Sequence, residues 1–468
     1  MTLDIWVTIF YFSIVLIIGL TISNQVKTMS DYTTGNRNYS AFVIFATLSS
    51  AFIGGGFTSG LAEKVFSTGI IYILVMWGFS VKEILVATLI APRMTIFKDA
   101  ISVGDIMGML YGKGAKVFTG LASLLVCGGI AGAQFGAFGY MLEILIDIPP
   151  FLGVMIGASI VIVYASLGGM KAVVANDILH FCVLMIALPL VLIFGLYHRG
   201  DPSFILQNLP SSHLALFESI PPLAALSLFL SFFFGETLVP PYVQRLLIGK
   251  NFKETAKGTL WSGLLSFAFF ILIGFIGLIA LQLNPNLNPN LALPFVIQSV
   301  MPAGLKGLAI SGMIAVLMSS ADAFLNSAGI ALSRDVIGVL RPKPLDNKTE
   351  LLISRFATLV VGLTAVFFAL RISSVLDILL YAYNFWTPFI LVPLVAGILG
   401  YRLTPQAFWT SSLFGISSTL LWNFFCRNSL DLDIEGTLIG IIVNLIIFIT
   451  FLCIEKYAFN LPQQSVTR

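Results

Sequence analysis

Among the ionisable side chains that interrupt the long apolar runs of this sequence are Lys82, Glu83, Asp177, Glu236 and Asp322. Asp177 follows Asn176 and stands one helical turn before His180, while Asp322 lies in the run MSSADAFLNS with Ser319 and Ser320 just before it. On a helix, positions 319 and 322 share a face, and Asn326 and Ser327 extend the same polar stripe. Hydroxyls and a carboxylate at that spacing, helped by any freed backbone carbonyls, are the oxygen donors that a hard cation such as Na+ takes. Taken alone, the two serines are better read as bonding back to a carbonyl one turn earlier, as Ser commonly does in membrane helices. Glu236 reads two ways, as a ligand for substrate or proton or as a partner for broken backbone. Lys82 also reads two ways, as a side chain that snorkels to the membrane surface or as one that pairs with a carboxylate.

The surroundings give these residues their meaning. Of 468 residues, 58% are hydrophobic and only 10% charged, and the mean hydropathy is +0.98. Soluble domains carry about a quarter charged residues, so the chain reads as an all-α polytopic membrane protein. Ionisable groups at membrane depth are then candidates for function by default. Apolar runs bounded by charge, Pro or polar clusters predict about thirteen spans. They cover approximately 4–24, 40–62, 69–92, 115–145, 150–168, 172–197, 217–248, 257–282, 303–332, 351–371, 375–401, 404–426 and 433–454. Helices are required because lipid offers the backbone no partner, and the alternating short segments of a β-barrel are absent. The first run has no basic residue before it and no small-residue cleavage site after it, so it reads as a retained span.

Other classes fall away. A net charge of +3 without basic clustering calls for no nucleic-acid partner. The four cysteines lie in or beside apolar runs without CxxC spacing, which argues against disulfides and zinc. No GxxxxGK[ST], HExxH or GxSxG is present, so neither direct ATP drive nor an enzyme is expected. No loop is long enough to fold separately, which leaves residues 1–468 as one membrane domain whose environment is the bilayer. With the N-terminus outside, 19 of the 25 Lys and Arg, Arg245 among them, fall on the cytoplasmic connections. That bias predicts an outside N-terminus and a cytoplasmic C-terminus.

Two spans look broken. One carries Gly54-Gly55-Gly56; the other carries Gly235-Glu236-Thr237 followed by Pro240-Pro241. Irregular backbone at membrane depth is tolerated where it lines a cavity or binds an ion. The breaks are five spans apart, and five is odd, so 40–197 and 217–401 read as inverted repeats with a broken first helix each. Span 4–24 precedes them and two more, within 404–454, follow. Such paired breaks mark a binding site near the bilayer midplane.

Four segments now carry a resemblance: TGNRNYSAF, YASLGGMKAVVANDILH, PYVQRLLIGKNFKETAKG and GLAISGMIAVLMSSADAFLNSAGIALSRDVI. Together and in order they resemble the sodium:solute symporter family over about residues 4–455. The resemblance implies a LeuT-type fold of two inverted five-helix repeats. It also implies a sodium site formed by the carbonyls of Ser50, Ile53 and Val316 and the hydroxyls of Ser319 and Ser320. Some members bind a second cation at the position of Asp177, with hydroxyls where this chain has Asp322 and Ala323. Asp177 and Asp322 are therefore a possible second cation or proton site. On the substrate side Phe57, Met76 and Val239 stand where sugar carriers are polar, Trp77 remains as an aromatic wall, and Glu236 lies at the break. Losing those hydrogen-bonding groups argues against a sugar. A smaller solute, such as an amino acid or organic acid, fits better. The expected function is inward symport of sodium, the coupling ion, with a small organic solute by alternating access, in the plasma (inner) membrane and without an obligate protein partner. Proton coupling on the same fold is the rival, and a solute sensor without transport is the alternative of another kind.

Overall fold

A backbone in lipid must pair its own polar groups, and the apolar runs do so as helices. The computed structural model describes residues 3–200, 202–341, 346–371, 384–427 and 434–459. Its long helices are α1 (Leu3–Ser23), α2 (Ala41–Phe52), α3 (Ser59–Thr68), α4 (Ile71–Leu85), α5 (Lys113–Ile146), α6 (Pro150–Arg199) and α7 (Pro222–Gly235). They continue as α8 (Pro240–Leu247), α9 (Phe252–Leu283), α10 (Leu305–Ile330) and α11 (Asn347–Ala369). After these come α12 (Asn384–Ile398), α13 (Pro405–Leu421) and α14 (Gly436–Phe459). No strand occurs among the described residues; the nearest thing to one is an isolated parallel bridge between Tyr39 and Gly249. Tyr39 donates its N–H to the Ile248 carbonyl (3.4 Å) and accepts from the Lys250 N–H (3.1 Å), stitching the start of α2 to the end of α8.

Among the described residues, eight helices are long and apolar enough to cross a membrane, or ten if each bent pair is one span. That count does not establish the thirteen expected. Expected spans 150–168 and 172–197 run together as the 50-residue α6, which turns at Gly169 (φ 53). The expected span 375–401 begins outside the described residues, and only α12 of it is seen. α13 is 17 residues long before it passes into the π-helical segment Trp422–Cys426.

The centre of the bundle is α10, with 94% of its span window buried against 22% for α1. It packs on α5 and α6 and also touches α1, α2, α8 and α11. A remote residue holds its N-terminus. Asp4 of α1 accepts the N–H groups of Gly304 and Gly307 (2.7 and 2.8 Å) on one carboxylate oxygen, satisfying orphan donors at the helix start. The short helix Met29–Thr34 is capped reciprocally by Thr28 and Asp31. Lys171, just past the Gly169 turn, pairs with Asp31. Burial alone would raise the Asp31 carboxyl, but Lys171, the Thr28 hydroxyl and the N–H groups of Lys27 and Thr28 hold it well below the ordinary carboxylate range.

Candidate functional site

Both predicted breaks are present. α2 and the segment Gly55–Thr68 meet at 78°, and α7 and α8 meet at 50°. α2 ends when Ile53 leaves helical geometry (φ −79, ψ 60), its N–H making a last bond to the Ser49 carbonyl. The final carbonyls of α2 then have no helical continuation to bond. α10 passes close beside them, and a glycine makes room for it: a Cβ at Gly54 would lie 2.5 Å from the Ser320 hydroxyl.

The serines of α10 do not bond back to their own helix. Ser320 donates to the Ala51 carbonyl (2.8 Å), and the Ser319 and Ser50 hydroxyl oxygens are 2.9 Å apart. Ser319 also donates to Asp177. Ser50, Ile53, Val316, Ser319 and Ser320 are all buried, on the two elements that meet at this junction. Across it the Ser319 hydroxyl meets that of Ser50 and the Ser320 hydroxyl meets the Ala51 carbonyl, and oxygen donors of these kinds are what a hard cation takes.

Asp177 and Asp322 turn out differently from each other. Asp177 is fully buried and accepts hydrogen bonds from Thr47 of α2, Ser319 of α10 and Arg245 of α8, the last at 2.8 Å. Arg245 was counted above with the cytoplasmic connections, and the structure corrects that. Its side chain is fully buried, paired with Asp177, and also donates to the Thr47 hydroxyl (2.9 Å) and the Pro241 carbonyl (3.2 Å). A guanidinium thus already stands against the Asp177 carboxylate. Asp322 instead accepts from the Tyr164 hydroxyl of α6 (2.5 Å) on one oxygen and, among the described residues, receives no side-chain hydrogen bond on the other. Near it, Tyr11 of α1 and His180 Nδ1 of α6 lie 2.5 Å apart. Asn176 and Asn326, both buried, find no hydrogen-bond partner among the described residues. Ser327, the end of the predicted stripe, donates to Gln244 of α8 (2.7 Å).

On the substrate side, Phe57, Met76, Val239 and Glu236 are all buried at or beside the breaks. Phe57 stacks on Phe270 and meets Phe79 and Phe232, making an aromatic cluster between the two breaks. Trp77 is half-buried and meets Phe267 of α9 edge-on, with ring centroids 5.4 Å apart. Lys82 does not snorkel. It is buried and paired with Glu83 (2.7 Å), with its ammonium 3.8 Å from the Phe79 ring centre. Glu83 accepts in turn from Tyr242 of α8 (2.9 Å).

Sequence reading missed several members of the site. Gln134 of α5 accepts the Gly55 N–H (3.4 Å) at the first break; a polar residue amid an apolar run was its signal. The second break turns not at its glycine but at Leu238, which is buried and left-handed (φ 56). Pro240 and Pro241 then open α8, where the missing N–H does no harm.

Comparisons with known proteins give the family and the fold. The description of the sodium:solute symporter family matches residues 32–415. The chain is 22% identical over 445 residues to the osmoregulated proline transporter of Bacillus subtilis (strain 168), covering 88% of this chain and 87% of that one. It is 24% identical to the sodium/proline symporter of Staphylococcus aureus, covering 76% of this chain and 73% of that protein. It is also 24% identical to the human high affinity choline transporter 1, covering 73% of this chain and 62% of that protein. Among solved structures, a Na+-coupled sialic acid symporter in a substrate-bound outward-open state superposes with a TM-score of 0.84 at 18% identity, covering 97% and 98% of the two chains. A nucleobase-cation-symport-1 family transporter gives 0.62 at 14% identity, covering 93% and 96%. At such identities the structural likeness speaks to fold, which is the LeuT type. With a match that spans most of its length, the chain belongs to the sodium:solute symporter family.

Proposed function

We propose that the chain couples inward sodium flow to the uptake of a small organic solute, with one sodium ion held by the carbonyls of Ser50, Ile53 and Val316 and the hydroxyls of Ser319 and Ser320. The observation that carries this reading is the pair of hydroxyls reaching across from α10 onto the unwound end of α2. Sodium bound there ties α2 to α10 and favours one of the two access states, which couples ion and solute. Asp177 acts on that site through Ser319 and does not take a second cation, since Arg245 supplies the positive charge. The protein works as one transport domain in the plasma (inner) membrane, with its N-terminus outside, its C-terminus cytoplasmic and no obligate protein partner. Its extra helix is 4–24, its repeats are 40–197 and 217–401, and its two added helices lie within 404–454.

The solute meets Phe57, Met76 and Val239, an apolar wall that favours an amino acid or a less hydroxylated organic solute over a sugar. Uptake into proteoliposomes is the test. Ser319→Ala with Ser320→Ala should lower sodium affinity at least about tenfold, as loss of groups supporting a metal site does. Full sodium dependence in that variant would place the ion elsewhere. A thermal-shift screen of small solutes in sodium and in potassium identifies the substrate by the stabilisation seen only with sodium.

Proton coupling is the second reading, and it rests on Asp322, buried against Tyr164 with its other oxygen unmet by any side chain among the described residues. Uptake that follows a pH gradient without sodium would decide for it.

A further inference from the structure

A groove of about 650 Å³ lies away from the cation junction, between α4, α7, α12 and α14. Leu89, Phe234, Val395, Leu445 and Phe448 form its apolar wall. Its inner end is polar: Lys82 and Thr237 line it, and Thr237 belongs to the break between α7 and α8. Along the end of α4 and the π-helical turn Val86–Ile90 that continues it, the lining runs from Lys82 to Ile90, a rise of roughly 12 Å at 1.5 Å per residue. One leaflet of hydrocarbon is about 15 Å deep, half of the roughly 30 Å core. The groove therefore runs from near the middle of the bilayer to one surface.

The charge at that surface points to an occupant. Arg93 stands three residues beyond Ile90 and donates to the carbonyl of the lining residue Leu89 (2.5 Å). Arg402 directly follows the lining residue Tyr401. Both arginines are exposed, and neither forms an ion pair among the described residues. Glu455, on α14 at the same end, is turned to Thr404, from whose N–H and hydroxyl it accepts (3.4 and 2.6 Å). An apolar trough one leaflet deep with a cationic mouth suits an amphiphile that has an apolar chain and an anionic head. At the inner end Lys82 is already matched by Glu83, so that end asks for no further charge.

We propose that this groove binds an anionic phospholipid of the leaflet on the Arg93 and Arg402 side. One acyl chain fills the trough down to Thr237, and the phosphate sits between the two arginines. The chain end then rests against Phe233, Phe234 and Thr237, bracing the end of α7 where that helix breaks. The site is separate from the sodium and solute site and stands whether or not that assignment holds.

The full-length protein in detergent, titrated with dioleoylphosphatidylglycerol or with dioleoylphosphatidylcholine, tests this by thermal shift. Phosphatidylglycerol should raise Tm saturably and by more than phosphatidylcholine. The excess should vanish in Arg93→Gln with Arg402→Gln, two surface changes outside the packed core. It should also vanish in Ala396→Trp, which fills the trough; Leu89→Trp on the lipid-exposed wall replaces that variant if it does not fold. Equal shifts from the two lipids, or a phosphatidylglycerol excess that survives either kind of variant, would overturn the proposal.

Discussion

The two broken helices solve one problem with opposite chemistry. Between α2 and α3 the break is made by glycines, bends the chain by 78° and presents carbonyls to serine hydroxyls of α10. Between α7 and α8 it is made by a left-handed leucine and two prolines, bends by 50° and is surrounded by charge: Glu236 within it, Arg245 one turn on, and Glu83 and Lys82 facing Tyr242. The first break is neutral, with oxygens that a small cation takes. The second is electrostatically self-contained, with its arginine and lysine each matched by a carboxylate. A binding site at membrane depth needs both kinds, one open to an ion and one that holds its own charges while it moves.

The contrast breaks most visibly at Arg245. Arg245→Ala strands the buried Asp177 carboxylate, and removing one partner of a buried pair lowers stability by about 3–5 kcal/mol; thermal or denaturant unfolding in detergent measures it. Asp177→Asn added to that variant should recover much of the loss, since no charge is then stranded. At the first break the sensitive position is a glycine. Gly54→Ala sets a methyl against Ser320, and overpacking of that kind lowers stability by about 1–3 kcal/mol. Sodium-dependent stabilisation should fall with it. Leu238→Ile keeps the volume but puts a β-branched residue at φ 56, and strained backbone of that kind adds about 1–2 kcal/mol of instability. Away from both breaks, Lys171→Ala should lower stability by only about 0.2–1 kcal/mol, as a partly exposed ion pair does. There the sign with pH is informative. Because the Asp31 carboxyl is held below its unfolded value, its contribution is present at neutral pH, begins to fade as the pH falls into the ordinary carboxylate range and is lost well below it. In Lys171→Ala that fading should move up toward the ordinary range, as an acid titration of Tm would record.

What the sequence made legible follows from which interactions are local. Apolar runs, Gly54–Gly56 and Pro240-Pro241 are local signals, and both breaks fall at or beside those residues. The Ser319 and Ser320 pair could be read because one helix carries both hydroxyls on neighbouring positions. Arg245 could not be placed, since its environment is set by Asp177, 68 residues away in the chain. Tyr164 and Tyr11 escaped for the same reason: a tyrosine in an apolar run looks like any other aromatic until its hydroxyl is seen against Asp322 or His180. Leu238 escaped because nothing in a leucine announces a left-handed backbone.

The short pairing of Tyr39 with Ile248 and Lys250 has a mechanical consequence. It fastens the first half of one broken helix to the last half of the other, so these two levers share a handle. Whatever tilts α2 during the cycle must carry α8 with it. Fluorescent labels near residues 39 and 249 should therefore keep a constant separation as sodium and solute come and go, while a label on α2 and another on α11 should record the stroke.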